Sequence, residues 1–146
     1  MGFDLTGRQP KNKKGEYFRN NCWHWRPLAT YVLNLIELPE KQQNWEFNDG
    51  CKVSKISAEK IAKKLQQEID SGNTTKYSKK YKADLKKLPL EKCHFCKGTK
   101  KYQNKKCSFC KNTGKQESWL KNYPFSVENV KEFIEFAKNS GGFKIY

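Results

Sequence analysis

The 146-residue chain lacks the features that mark membrane and secreted proteins. No apolar run reaches the roughly 18–20 residues that a membrane span needs. The N-terminal residues carry only single, scattered apolar side chains, so they lack the core of a signal peptide. These absences predict a cytoplasmic protein with no membrane partner. In that compartment thiols stay reduced, so disulfides are not expected among the six cysteines.

Motifs of common enzymes are missing as well. The chain has no P-loop, no nucleophile elbow and no H-E-x-x-H pair. Asp4, Glu16, Arg19 and His24 lie in one loop-rich region, but the sequence does not bring them together. We therefore predict that the protein is not an enzyme, and no small-molecule substrate is indicated.

Arginine is scarce, whereas lysine is abundant. The chain holds 27 Lys and three Arg against 15 acidic residues, which gives a formal net charge of +15. Residues 76–121 alone hold 15 lysines and three acids, a net charge of +12. This stretch predicts an anionic partner, either nucleic acid or an acidic protein surface. Codon bias in an AT-rich genome would also produce such an excess, as a solvated surface without a partner.

Four of the six cysteines form two C-x-x-C pairs, ten residues apart. Zn²⁺ prefers four soft ligands in a tetrahedron, and each pair supplies two sulfurs from a compact turn. A hairpin with its tip near Gln103-Asn104 would bring the pairs together. The predicted ligands of one structural zinc ion are Cys93, Cys96, Cys107 and Cys110. A redox centre of the thioredoxin type needs a single such pair at the start of a helix, so that alternative is weaker.

The elements CHFCKGTK and CSFCKNTG resemble the C-x-x-C-x-G-x-G repeats of the cysteine-rich domain of DnaJ-type chaperones. Two repeats are present instead of the family's four, which implies a hairpin with one zinc ion over about 22 residues, but not chaperone function. Lys100 replaces the second glycine of the first repeat. Asn112 replaces the first glycine of the second repeat, which keeps Gly114. The His-Pro-Asp tripeptide of the J-domain is absent.

A looser resemblance concerns the two ends of the chain. The opening GFDLTGRQP, the following GEYFRNNCWHWRPL and the ending FAKNSGGF are similar to small phage and bacterial proteins. The resemblance implies a phage or mobile-element origin, an accessory role and, in a phage, location in the host cytoplasm. The resemblance predicts no particular chemical activity.

Apolar periodicity predicts four helices, near residues 27–38, 58–71, 75–88 and 127–139. Pro27 suits the first position of the first helix. Ser57 is the expected N-cap of the second helix, with Ile56 and Ile61 as a hydrophobic staple. Ser126 is the expected N-cap of the last helix.

The other segments show little regular periodicity. Residues 1–20 are predicted to be loop with one short strand near residues 16–19, and the final FKIY is predicted to be a strand. The predicted fold class is α+β, mainly helical: a small single domain of about four helices with an inserted four-cysteine zinc hairpin. Residues 1–90 and 115–146 are expected to form the helical core, and residues 91–114 the hairpin.

The segment YFRNNCWHWRPL, residues 17–28, concentrates aromatic side chains and two of the three arginines. On an extended segment Trp23 and Trp25 would share one face. We favour them as core residues with His24 pointing outward. The alternative is a protein-binding surface of aromatic and arginine anchors, which comprises Tyr17, Arg19, Trp23, Trp25 and Arg26. Cys22 and Cys51 are predicted to be ordinary buried thiols, or with His24 a second metal site.

Two classes of function follow. The first is nucleic-acid binding of low sequence specificity, because lysine contacts phosphates more than it distinguishes bases. Tyr102 would stack on bases between phosphate-binding lysines, which are Lys79, Lys80, Lys86, Lys87, Lys100, Lys101, Lys105 and Lys106. The second is a protein-binding inhibitor or modulator of a host protein, such as a phage counter-defence factor.

Overall fold

The computed structural model describes residues 1–146 and confirms an α+β fold with four α-helices. The helices are α1 Cys22–Leu35, α2 Lys55–Asp70, α3 Asn73–Lys86 and α4 Val127–Ser140. The strands are β1 Gly2–Gly7, β2 Tyr17–Asn21, β3 Cys51–Val53, β4 Glu91–Lys92, β5 Lys101–Tyr102, β6 Lys105–Lys106, β7 Lys115–Gln116 and β8 Phe143–Ile145. No helix has both the length and the apolar character that crossing a membrane requires.

The chain divides into two compact units. We call residues 1–81 with 123–146 the core unit, and residues 82–122 the hairpin unit. Helix α3 contributes residues to both units.

The core unit contains a four-stranded antiparallel sheet with the order β2-β1-β8-β3. Strand β8 near the C-terminus confirms the strand predicted for FKIY. Strand β1 corrects the prediction of loop for the first residues. In β1 only Phe3 and Leu5 point inward and are buried, and the Phe3 ring stacks on that of Trp25 with centroids 5.5 Å apart. The strand forms because β2 and β8 pair with it on either side. Two apolar residues between glycines are too short a pattern to reveal a strand.

Helix α1 begins five residues earlier than predicted and ends at Leu35. The Asn21 side chain caps it by accepting the backbone N–H of His24, at 3.0 Å. Pro27 therefore lies inside the helix, not at its first position. Residues two apart on a helix differ by about 200°, so Trp23 and Trp25 do not share a face. Trp25 is fully buried, whereas Trp23 is partly buried beside the ring of Tyr123.

Helix α2 is capped by Ser54 and not by Ser57. The backbone N–H of Ser57 donates to Ser54 Oγ at 3.2 Å, which places Ser57 in the first turn. The predicted staple is therefore wrong: Ile56 is 79% exposed, whereas Ile61 is buried. Two serines three residues apart offer equivalent caps in the sequence, and the packed structure selects the earlier one.

Helices α3 and α4 lie within two residues of their predicted ranges. Tyr77 and Tyr81 of α3 pack against the ring of Phe125, with centroids 4.8 and 5.8 Å away. Ser126 caps α4 as predicted, since its Oγ accepts the N–H of Asn129 at 3.1 Å.

The centre of the core unit is aromatic. The Trp25 and Trp45 rings stack with centroids 5.6 Å apart, and the indole N–H of Trp25 donates to the Trp45 carbonyl at 2.8 Å. Phe133 and Phe143 meet the Trp45 ring edge to face. Each fully buried large side chain stabilises the fold by roughly 1.5–3 kcal/mol, and none of the four clustered cysteines belongs to this core.

The hairpin unit has a different construction. Strand β4 pairs with β7 and β5 pairs with β6, so two short antiparallel ladders are present. The β5–β6 turn consists of Gln103 and Asn104, both with positive φ (51° and 61°), which confirms the predicted tip. Such a two-residue turn matches the twist of its flanking strands. The buried apolar cluster of this unit consists of four cysteines alone.

Candidate metal centre

The four predicted cysteines converge on one point. All four are buried, and their sulfurs lie within 4.8 Å of one another. The Cys93 and Cys107 sulfurs are 3.9 Å apart, and those of Cys96 and Cys110 are 3.7 Å apart. Four sulfurs in a tetrahedron around a metal at about 2.3 Å would be separated by about 3.8 Å. The cluster is thus positioned for one metal ion, and its thiols are free of disulfides.

Within the hairpin unit, the pattern of residues 91–102 repeats in residues 105–116, after a shift of 14 residues. The Cys93 N–H donates to the Gly114 carbonyl and the Cys107 N–H to the Lys100 carbonyl, each at 2.9 Å. The shift also converts the β4–β7 ladder into the β5–β6 ladder. The sulfur cage therefore lies between two equivalent C-x-x-C turns.

A threonine closes each turn in the same way. The Thr99 hydroxyl donates to the Cys96 carbonyl at 2.7 Å, and the Thr113 hydroxyl donates to the Cys110 carbonyl at 2.6 Å. Each threonine thus fixes the backbone directly after the second cysteine of its pair. In the sequence, these threonines are recognisable only as turn formers.

Lys100 and Asn112, which occupy the positions of glycine in the DnaJ-type repeats, have the same left-handed backbone as the glycines at the equivalent positions of the other turn. Lys100 has φ 66° and corresponds to Gly114 with φ 75°, whereas Asn112 has φ 63° and corresponds to Gly98 with φ 88°. These left-handed conformations cost a residue with a Cβ atom roughly 1–2 kcal/mol, less for asparagine. The two C-x-x-C turns therefore follow the same backbone path, with some backbone strain at Lys100 and Asn112.

Electrostatics differ between the two cysteines of the second pair. Burial raises the pKa of the Cys107 thiol to about 11. Burial also acts on Cys110, but hydrogen bonds from the Gly114 N–H and from neighbouring thiols outweigh it and lower the pKa of Cys110 to about 6. The Gly114 N–H lies 3.3 Å from the Cys110 sulfur. The Gly114 N–H thus favours the thiolate of Cys110, the form of cysteine that binds metal.

The remaining cysteines do not form a second metal site. Cys51 is buried, and its thiol donates to the Lys41 carbonyl at 3.8 Å. The His24 ring instead contacts the Asn21 side chain at 2.9 Å. The structure does not bring Cys22, His24 and Cys51 together as a ligand group, so that alternative is wrong.

The conceivable acid–base cluster is only partly assembled. Asp4 pairs with Arg19 at 3.6 Å across the β1–β2 ladder, and the Tyr17 hydroxyl donates to Asp4. The hydrogen bond raises the pKa of the Tyr17 phenol. His24 is bound to Asn21 and contributes nothing to this group.

The alternative partner surface is not assembled as predicted. Trp25 is inaccessible in the core, which removes it from any surface. Tyr17 and Arg19 are exposed on β2, where both are engaged with Asp4. Arg26 on α1 lines a cavity beside Trp45.

All eight predicted phosphate-binding lysines are exposed. Lys79 and Lys80 belong to the core unit, and the other six belong to the hairpin unit. In the β5–β6 ladder Lys101 lies opposite Lys106, and Tyr102 lies opposite Lys105. None of the eight has an acidic side chain within 4.0 Å.

The hairpin unit also exposes aromatic rings that were not among the predicted site residues. Phe95 and Phe109 stack with centroids 3.7 Å apart and planes 13° apart. The Tyr102 ring stands nearly perpendicular to both, at 5.8 and 5.6 Å. The phenylalanine that precedes the second cysteine of each C-x-x-C pair was the signal from which these exposed rings could have been predicted. The sequence does not show, however, that the two turns bring the rings into contact.

Comparison with known proteins identifies no relative. No protein-family model, no curated protein and no solved structure matches the chain. The support for the metal centre is therefore the geometry of its own four cysteines.

Proposed function

We propose that the protein is a small zinc-binding accessory protein that binds nucleic acid with low sequence specificity through its hairpin unit. Four thiolates in a tetrahedral set favour zinc over harder cations such as magnesium or calcium. With four protein ligands and no position for water, the zinc would be structural. Elemental analysis of the purified protein is expected to give one zinc per chain.

The observation that carries the proposal is unbalanced positive charge. The hairpin unit has 12 lysines and three acids in 41 residues, a net charge of +9. Only Lys121 forms an ion pair there, with Glu117. Zinc bound to four thiolates would add a charge of about −2, which leaves the unit strongly positive. Lysines that lack partners within the chain are available for phosphates.

The type of basic residue supports low specificity. All three arginines lie in the core unit, so the hairpin unit has no guanidinium to bind a base edge in two places. Lysine ammonium groups make point contacts with phosphates, which are the same for every sequence. Sequence variation in the target is therefore expected to change affinity little.

The metal would give this positive charge a fixed arrangement. The buried apolar cluster of the hairpin unit consists of the four cysteines alone, so the unit lacks a hydrophobic core of ordinary size. In domains of this kind metal binding and folding are one process. Zinc would thus hold the β5–β6 lysines in a fixed position before the nucleic acid binds. In a disordered segment, the same lysines would have to be ordered during binding.

Two variants with equal charge change test the proposal. The first changes four hairpin lysines to glutamine: Lys100, Lys101, Lys105 and Lys106. The matched control changes four exposed lysines of the core unit: Lys13, Lys41, Lys52 and Lys63. Affinity for a short duplex is measured by fluorescence anisotropy over a range of salt concentrations.

The hairpin variant is expected to bind more weakly. Its plot of log affinity against log salt is expected to be shallower by about 0.9 for each phosphate that the variant no longer neutralises. The control is expected to stay close to the parent. If both variants lose the same affinity for the duplex, only the overall charge of the protein matters and the proposed site is wrong. If the parent binds no nucleic acid at low salt, the partner is of another class, such as an acidic protein.

A further inference from the structure

Large apolar side chains are exposed mainly in the hairpin unit. It contains six of the eleven large hydrophobic residues that are exposed, although it has only 41 of the 146 residues. The six are Leu90, Phe95, Tyr102, Phe109, Trp119 and Leu120. Three of them, Phe95, Tyr102 and Phe109, contact one another ring to ring. We call these three rings the aromatic platform.

The fold alone does not account for the aromatic platform. Phe109 is 57% exposed, Phe95 40% and Tyr102 37%, although Phe95 and Phe109 cover one face of each other. Phe109 leaves more than half of its surface open, although a ring that served only to shield the sulfurs would be expected to bury most of it. The outward surface of the platform is therefore available to a planar partner.

We infer that the aromatic platform stacks on the bases of single-stranded nucleic acid, a step that rests on the proposed function. Phe95 and Phe109 form a two-ring column. His94 stands edge-on to Phe95, with centroids 5.8 Å apart. Phe109, the most exposed of the three, offers the outer face of the column. A base placed there would continue the stack, and Tyr102, perpendicular to both rings, would border it.

The charge beside the platform favours a nucleic acid over an apolar peptide. Tyr102 lies opposite Lys105 in the β5–β6 ladder and directly follows Lys101. Phe95 and Phe109 are each followed, two residues later, by the exposed Lys97 and Lys111. Aromatic faces interleaved with cations match a strand of alternating bases and phosphates. In a duplex the base faces are already stacked, so the platform would be selective for single strands.

Stacking and phosphate contact do not recognise the 2′-hydroxyl group, which is the group that distinguishes RNA from DNA. DNA and RNA single strands of equal length and similar sequence are therefore expected to bind within about threefold of each other, since every base offers a π-face. A larger difference would show that the sugar is recognised and that stacking is not the main contact.

The test uses the full-length, zinc-loaded protein with Phe109→Leu, which keeps apolar bulk over the sulfurs but removes the flat ring. Phe47→Ala is the control, because Phe47 lies in the core unit and is also 57% exposed. The probes are oligothymidylate of about 15 nucleotides, a length within reach of one small binding module, and a duplex of equal charge.

We expect Phe109→Leu to weaken single-strand binding by about fivefold to 100-fold, the usual effect of losing one stacked base. Duplex binding is expected to change by less than about twofold, because phosphate contacts are retained. Equal losses on both probes, or no loss on either, would overturn the inference. A parent that binds neither probe would instead contradict the proposed function itself.

An experiment on the unaltered protein covers the case in which Phe109→Leu loses zinc. Oligothymidylate that carries 5-iodouracil is irradiated in complex with the parent protein, and the crosslinked peptide is identified by mass spectrometry. A crosslink at Phe95, Tyr102 or Phe109 supports the inference. Crosslinks confined to other residues would overturn it.

Discussion

The core unit and the hairpin unit are stabilised by different physical means. The core unit buries a cluster of tryptophan and phenylalanine rings and has 18 basic against 12 acidic residues, a net charge of +6 over 105 residues. The hairpin unit has a higher net charge, +9, in 41 residues, and its buried cluster is four sulfurs. A metal bound by these sulfurs would replace the missing apolar core of the hairpin unit.

The largest expected effect comes from removing a sulfur ligand. Cys96→Ser or Cys110→Ser should abolish metal binding and disorder the hairpin unit, because a structural zinc ion contributes on the order of 10 kcal/mol or more to the folding of such units. The core unit should stay folded, since its aromatic cluster contains none of the four sulfurs. Elemental analysis and amide NMR spectra report the two units separately.

Cys22→Ser is the control for this change, because Cys22 is a free thiol of the core unit. It should leave the metal content at one ion per chain. Metal content that survives both Cys96→Ser and Cys110→Ser would rule out the assigned ligands.

The reverse experiment removes the centre of the core unit. Trp25→Ala should destabilise that unit by about 3–5 kcal/mol, because it leaves a large cavity among stacked rings. The hairpin unit should still bind its metal. Thermal unfolding followed by circular dichroism measures the first effect, and the absorption of Co²⁺ substituted for zinc measures the second. Loss of the Co²⁺ signal together with the helical signal would show that the two units fold as one.

A pair of equivalent positions tests the strain inside the hairpin unit. Lys100→Gly should strengthen metal retention by about 1 kcal/mol, or roughly fivefold, because glycine adopts positive φ without strain. Gly114→Ala should weaken it, since the new Cβ would lie 2.9 Å from the Gly98 carbonyl oxygen at φ 75°. Competition with a chromophoric chelator measures both changes. Effects of the same sign would contradict the equivalence of the two turns.

The smallest effects are expected from four lysines within and directly after α3. Changing Lys79, Lys80, Lys86 and Lys87 together to glutamine should leave the fold intact, because changes on solvated surface usually alter stability by within about 0.5 kcal/mol each. Nucleic-acid binding should weaken and become less dependent on salt. Double variants divide the set: Lys86 and Lys87, in the hairpin unit, should matter more than Lys79 and Lys80. If the change of Lys79 and Lys80 weakened binding more, the core unit, and not the hairpin unit, would be the main binding surface for nucleic acid.

Local patterns in the sequence predicted the four-cysteine cluster and the hairpin tip. Two C-x-x-C pairs bring their sulfurs together through short turns, and Gln103-Asn104 can adopt the positive φ that a two-residue turn needs. Ser126 was likewise sufficient to place the start of α4. In each case the deciding interactions join residues close in sequence.

Several errors concern interactions between distant residues. Strand β1 exists because β8, from the other end of the chain, pairs with it. The start of helix α1 is an exception, because its Asn21 cap is local, whereas Pro27 inside the helix is disfavoured by local rules. The stacking of Phe95 on Phe109 depends on two turns meeting in space. No local pattern contains that information.

The central claim is that a metal-organised hairpin unit, and not lysine content alone, binds nucleic acid. The most direct measurement compares the zinc-loaded parent with Cys96→Ser for binding of oligothymidylate at about 150 mM salt, where nonspecific phosphate contacts are much weakened. Both proteins carry the same 27 lysines. The account predicts at least about tenfold weaker binding by Cys96→Ser, because the disordered segment has to be ordered on binding. Equal affinity of the two proteins would contradict it.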